Sequence, residues 1–240
     1  MEKKILITGG EGGFAKNLLK VTEGDSQYEI LHPAKNELNI CSLDSLKSYF
    51  KSKHLEFNYV IHAAAITRPM AIHNEDIKLS ITTNIIGTSN IVLICELYKK
   101  KIIYISTDFV YEGLNGNYSE QDPLKPFTNY GWSKLGGECA VKMYKNHLIL
   151  RMAMTERPFP HDKAFYDMKK SSIYIDEAAE TTLKLLDSRG TINVGGISKT
   201  IYEFAKEDAP FVKKNSIKDI KDIKMPSDIS MNIDKLKKLL

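Results

Sequence analysis

Cysteine is scarce in this chain. Cys41, Cys95 and Cys139 are the only three in 240 residues, and they share no paired spacing. A disulfide-stapled secreted domain is therefore not expected, and a reducing compartment is. Cys95 and Cys139 lie in apolar helical contexts and are expected to be small core residues. Long apolar runs are missing too: none approaches the roughly 20 residues of a bilayer span. Met1 leads within four residues into an apolar strand, which leaves no room for a signal peptide. A cytoplasmic protein without a membrane partner is expected. Charge of one sign is weak, with 34 Lys and Arg against 30 Asp and Glu. The basic excess gathers late, as eight Lys against four Asp from Lys213 to Leu240. No Arg or aromatic residue interleaves with these lysines, so they read as a solvated surface, not a nucleic-acid site. Internal repeats, low-complexity tracts and a metal-ligand cluster are all lacking.

What the chain does have is alternation. Strands are predicted at Lys4 to Thr8, Tyr28 to Leu31, Tyr59 to Ala63, Lys101 to Ser106 and His147 to Arg151. Helices are predicted between them, at Phe14 to Lys20, Leu43 to Lys51, Asp76 to Tyr98 and Asn129 to Tyr144, with Ser42 as an N-cap. This pattern predicts an α/β fold, a Rossmann-type doubly wound parallel sheet. Ligands in that fold bind beyond the carboxyl ends of the strands. After Arg151 the pattern weakens at Arg157-Pro158-Phe159-Pro160. Shorter elements follow, a strand at Ile173 to Ile175, a helix at Asp176 to Leu186 and a strand at Thr191 to Val194. The expected division is therefore a nucleotide-binding domain at 1–151 and a small, shortened C-terminal substrate-binding region at 152–240 that does not fold alone.

Chemistry concentrates at strand ends. Gly9, Gly12 and Ala15 form a G-x-x-G-x-x-A turn between the first strand and first helix, with Gly13 and Phe14 inside it. Glycine allows a tight turn and close backbone approach to a pyrophosphate, and the helix start supplies N–H donors. NAD sites usually close the second strand with an acidic residue that holds the ribose 2′-hydroxyl. Here the strand runs into His32-Pro33-Ala34-Lys35, with no carboxylate. Lys35 or His32 would welcome a 2′-phosphate, so NADP(H) is favoured and NAD(H) remains open. His62 to Thr67 follows the third strand with small residues, Ala63, Ala64 and Ala65, that leave room for a flat ring. His62 itself is expected to be a packed, hydrogen-bonded residue. Ser106-Thr107-Asp108 ends the fourth strand, and a hydroxyl there can polarise a substrate carbonyl. Tyr130 and Lys134 stand four residues apart on one helix face. An ammonium beside a phenol favours the phenolate, so the tyrosine is expected to become a usable acid near neutral pH.

These motifs together resemble the extended short-chain dehydrogenase/reductase family. Ile105 to Gly113, Asn129 to Glu138 and the closing Pro226-Ser227-Asp228-Ile229-Ser230-Met231-Asn232 are similar to its dTDP-4-dehydrorhamnose reductase branch. The likeness is dense from Lys3 to Arg151 and thin afterwards. It implies a reductase of a nucleotide-linked 4-keto-6-deoxyhexose that uses NADPH, with Tyr130 as proton donor. Lys134 would bind the ribose, and Thr107 would polarise the substrate. It places Asn39 and Ile40 beside the adenine and Ala63, Ala64 and Thr67 along the cofactor. Asn84 is implied as a brace for the active site, counted with the cofactor residues. Thr107, Asp108, Phe109, Arg157 and Lys163 are the substrate-side candidates, the last two as partners of a diphosphate. Asn39 and Phe109 depart from the branch's Asp and Tyr. Asp108-Phe109 lacks the second carboxyl that 4,6-dehydration needs, and no cysteine lies where 3,5-epimerisation would use one. A 4-epimerase stays open. So does a non-catalytic regulatory subunit, since the regulatory subunit of methionine adenosyltransferase resembles the same branch. A homodimer is compatible with either.

Overall fold

A computed structural model describes residues 2–220 and 225–240. Lys221, Asp222 and Lys224 of the charged tail fall outside the described residues. Six parallel strands form the central sheet: β1 (Lys3–Thr8), β2 (Tyr28–Leu31), β3 (Tyr59–His62), β4 (Lys101–Thr107), β5 (His147–Met152) and β6 (Gly190–Val194). Their order across the sheet is β6-β5-β4-β3-β1-β2. The order reverses between β1 and β3, and an open parallel sheet opens its ligand crevice at such a reversal.

Side-chain alternation along each strand feeds two cores. Ile5, Ile7, Ile103 and Ile105 face helices α1 (Gly13–Val21) and α5 (Ile175–Lys184). Leu6, Val60, Ile102 and Tyr104 face α2 (Leu43–Lys53), α3 (Ile77–Leu97) and α4 (Asn129–Met143). Strands buried on both faces read as continuous apolar runs, which is the sequence of β4. Ser42 caps α2 by accepting from the Ser45 N–H at 3.2 Å. Thr128 caps α4 by accepting from the Gly131 N–H at 3.1 Å.

Three expectations need amending. The sheet takes its outer strand β6 from residues 190–194, so the division expected at 151/152 does not follow the sheet. The intervening 153–174 carries only short strands, among them Lys163–Phe165 paired with Lys213–Asn215 and Lys169–Lys170 paired with Lys199–Thr200. Cys139 is exposed, because the buried side of α4 is set by Gly131, Lys134, Glu138 and Val141, and residue 139 turns away from it. Helix α3, at 21 residues, is long and apolar enough to cross a membrane by length and composition. Its polar Ser80, Asn84 and Thr88 are nevertheless buried, and they hydrogen-bond His73, Ser133 and His62 within the fold. A π-helical stretch, Ile81–Gly87, interrupts this helix where Asn84 stands.

Candidate active site

The glycine turn sits where the sheet order reverses. Gly9 has φ +73°, and a Cβ there would lie 2.9 Å from the Ala64 backbone. Only glycine therefore lets the first turn press against the loop after β3. The Gly12 N–H donates to the Gly9 carbonyl at 2.9 Å and closes the turn. Gly12 and Gly13 are exposed at the start of α1, where no side chain caps the helix and no acidic residue lies in its first turn. With the Gly12 N–H spent on Gly9, the N–H groups of the first turn from Gly13 on are the ones that can meet an anion. Phe14 and Ala15 turn their side chains into the core, which leaves their backbone as the part that could serve a ligand. Beside this turn lies a shallow depression of about 550 Å³ lined by Glu11, Ala34, Lys35, Asn36 and Asn39. Lys35 is exposed on it. Asn39 uses its side-chain oxygen to accept from the Cys41 N–H, and Ile40 is buried against Gly87.

His62 is a fixed part of this floor. Thr88 donates its hydroxyl to the Asn84 carbonyl at 2.7 Å, so it accepts from His62 Nε2 at 3.0 Å. Nδ1 then accepts from the Thr8 hydroxyl at 2.7 Å, and Thr8 in turn accepts from the Ala64 N–H. Every hydrogen in this chain has one place, and it requires neutral imidazole. Burial, with Lys134 nearby, pushes the imidazole down to about 3. Asn84 is buried with its carboxamide spent on the Ile66 backbone and the Ser133 hydroxyl. Ser133 donates on to the Tyr130 carbonyl at 2.7 Å. Asn84 thus ties the loop after β3 to α4, and any service to a cofactor is indirect. Ala63, Ala64 and Ala65 line that loop half-buried, and Thr67 is exposed.

Thr107, Tyr130 and Lys134 converge at the end of β4. Burial pushes the Tyr130 phenol up to about 12, while the neighbouring Thr107 hydroxyl pulls it back and Asp108 pushes it further up. Lys134 lies 4.2 Å from the centre of the Tyr104 ring and is almost fully buried. Burial lowers its ammonium to about 7, and Glu138 opposes that. The expected lowering of the phenol by Lys134 is not found. The ammonium is directed onto Tyr104, and burial outweighs the attraction. Glu138 is one turn further along α4 and binds Arg151 of β5 through contacts of 2.8–3.3 Å, with both side chains fully buried. Ser106 also donates to Glu138 at 2.5 Å, so the residue before Thr107 is fastened to the same carboxylate.

Residues of the C-terminal region pack against Tyr130 and Asp108. Tyr130 packs with Phe109, Met168, Ile229 and Phe165, among others, in an apolar cluster. Asp108 is buried and accepts from Thr107 at 3.1 Å, and Lys170 approaches its other oxygen at 3.0 Å. Arg157 does not present a free charge: it pairs with Glu177 at 2.6 Å and Asp176 at 3.6 Å, and lies over the Tyr174 ring. The acidic first turn of α5 has claimed the guanidinium expected for a diphosphate. Lys163 is exposed on its short strand, in register with Lys213. The sequence reading missed Arg68, whose charge acts on Tyr130, His73, whose ring centre is 5.1 Å from that of Tyr130, and Lys170. Only the tertiary structure brings these three to the site. None belongs to a spacing pattern, and no sequence signal marks them.

Comparison with known proteins gives the family and the fold. The family model described as "RmlD substrate binding domain" matches residues 3–155. A dTDP-4-dehydrorhamnose reductase of Aggregatibacter actinomycetemcomitans is 30% identical over 156 residues, 63% of this chain and 51% of that protein. A methionine adenosyltransferase 2 subunit beta of Bos taurus is 28% identical over 58% of this chain and 42% of its own length. The chain thus spans about half the length of the curated relatives it matches. Among solved structures, a Bacillus anthracis dTDP-4-dehydrorhamnose reductase in complex with NADP superposes with a TM-score of 0.86 at 23% identity, covering 99% of this chain and 91% of that one. A Thermus thermophilus UDP-glucose 4-epimerase complex with NAD gives 0.77 at 17% identity, with 97% and 91% covered. At these identities the structural likeness speaks for the fold. The family match covers well over half of the chain and takes in the glycine turn, Thr107, Tyr130 and Lys134, so the chain belongs to the RmlD substrate binding domain family.

Proposed function

We propose that this protein is an NADPH-dependent reductase of a nucleotide-linked 4-keto-6-deoxyhexose, working in the cytoplasm. The observation that carries the reading is the gathering of Thr107, Tyr130 and Lys134 at the end of β4, beside the sheet's reversal point. The free N–H groups at Gly13 and the following turn fit a pyrophosphate. Lys35, on the depression beyond β2, fits a 2′-phosphate, with Glu11 on the same rim as its counterweight. Bound NADPH would supply the hydride. Tyr130 would give its phenolic proton to the carbonyl oxygen, so that the ketone becomes a secondary alcohol. Thr107, next to the phenol, would turn its hydroxyl from Asp108 to that oxygen and hold it in place. Lys134 would place a positive charge where a ribose and the ionising phenol can share it. The names of the reductase relatives support this substrate class.

The relatives named as subunits of methionine adenosyltransferase favour a second reading, a non-catalytic NAD(P)-binding regulatory subunit. Purified protein incubated with NADPH and a panel of nucleotide-linked 4-keto sugars separates the two. Loss of NADPH absorbance with at least one sugar is expected. NADPH binding without turnover across the panel would sink the reductase reading in favour of the subunit.

A further inference from the structure

Asp108 is an expensive residue to keep beside a proton donor. Its carboxyl is 1% exposed, and burial pushes its pKa up. One oxygen accepts from the Thr107 hydroxyl at 3.1 Å. The other has Lys170 at 3.0 Å. Lys170 is supplied from far along the chain. Its short strand is held by antiparallel pairing with Lys199–Thr200 and by the tail, where the Lys169 N–H donates to the Ser227 carbonyl and the Lys169 carbonyl accepts from Ile229. The Lys170 side chain then crosses the Phe109 ring, 4.7 Å from its centre, to reach Asp108. Phe109 packs edge-on against Tyr130. Lys170 thus ends one residue away from both members of the proton-donating pair.

We propose that Lys170 is a positioning residue of the reaction centre, which compensates the buried Asp108 carboxylate and so sets the charge felt by Thr107 and Tyr130. The groups facing Asp108 are Thr107 from β4, Tyr130 from α4 and Lys170 from the C-terminal region, with Arg68 acting on Tyr130 from the loop after β3. With Lys170 in place, the ionised form of Asp108 is favoured against the burial that pushes its pKa up. It holds the Thr107 hydroxyl in a defined direction, and Lys170 offsets part of the charge by which Asp108 pushes the Tyr130 phenol up. Without Lys170, a buried carboxylate with no cation beside it takes up a proton or repels charge at the phenol, because burial is then opposed only by the Thr107 hydroxyl and a local backbone hydrogen bond. The consequence for catalysis rests on the reductase reading; the consequence for Asp108 does not.

The test follows the Asp108 carboxyl carbon by NMR in full-length protein labelled at aspartate, with Asp108→Asn assigning the resonance. Lys170→Met should raise the titration midpoint of Asp108 by about 1–3 pH units, the effect of losing a cation at this range. Lys170→Arg should restore it. Where the wild type turns over a sugar nucleotide, kcat in Lys170→Met should gain the same new ionisation while the NADPH Kd stays constant. A shift of the carboxyl without any turnover would keep the role of Lys170 and reject the reductase reading. An unmoved Asp108 midpoint in Lys170→Met, or no recovery in Lys170→Arg, overturns the proposal. If Lys170→Met does not fold alone, Asp108→Asn/Lys170→Met is melted beside Asp108→Asn. Equal melting temperatures are expected, since the pair is then already broken. A double variant that melts clearly below Asp108→Asn would show that Lys170 acts apart from Asp108, and would equally overturn it.

Discussion

Arg151→Met should cost this protein a large part of its stability, and the reason can be worked from the buried network. Arg151 and Glu138 are both fully buried and meet through a forked contact of 2.8–3.3 Å. Arg151 also donates to the Tyr111 hydroxyl at 2.9 Å, and Tyr111 donates to Asn193 of β6 at 2.7 Å. The methionine would fill much of the volume but leave Glu138 charged and buried, with Ser106 as its one hydrogen-bond donor among the described residues. Breaking one side of such a pair costs about 3–5 kcal/mol. For a chain of this size each kcal/mol lowers Tm by roughly 2–4 °C, so a fall of about 6–20 °C is expected. Differential scanning calorimetry with a urea titration measures it. The control is Arg151→Met/Glu138→Gln, which removes the stranded charge yet keeps an acceptor for Ser106. It should regain at least half of the loss, because neutral groups are far cheaper to bury than an unpaired ion. A single variant within about 2 °C of wild type, or a double variant no better than the single, would refute the reasoning. The network also reaches the reaction centre. Glu138 opposes the lowering of Lys134, so Glu138→Gln should move that ammonium below its position near 7.

Tyr130→Phe should abolish reduction by about 10²–10⁴-fold while NADPH binding, followed by fluorescence titration, stays close to wild type. Near-normal turnover would make Tyr130 structural. Lys35→Glu should erode a preference for NADPH over NADH in the same titration, by placing a second carboxylate beside Glu11 on the depression's rim. An unchanged ratio would mean that the 2′-phosphate is read elsewhere. Lys134 holds its proton less tightly when folded, at about 7 against 10.5, so the unfolded chain carries more protons between those values. Its contribution to stability therefore rises with pH across that window. Lys134→Met should melt above wild type at pH 7, and that advantage should shrink by pH 10. A constant gap would show that Lys134 titrates normally.

Much of this molecule was legible in the chain alone, and for local reasons. Alternating apolar runs and helical spacing set the five strands from β1 to β5 and the four helices between them, because burial on both faces of a parallel sheet leaves little choice of residue. The glycine turn was readable since a positive φ at Gly9 admits few side chains. Tyr130 and Lys134 were readable because a helix fixes the face that residues four apart share. Contacts across distance were not readable. Nothing local says that Arg157 goes to Glu177 and Asp176, that Cys139 faces outward, or that Lys170 reaches Asp108 across 62 positions of chain. The ionisation of Tyr130 and Lys134 was misjudged for the same reason. Spacing along a helix sets which residues are neighbours, whereas burial and the direction of the Lys134 ammonium, over Tyr104, are set by what the rest of the fold packs around them.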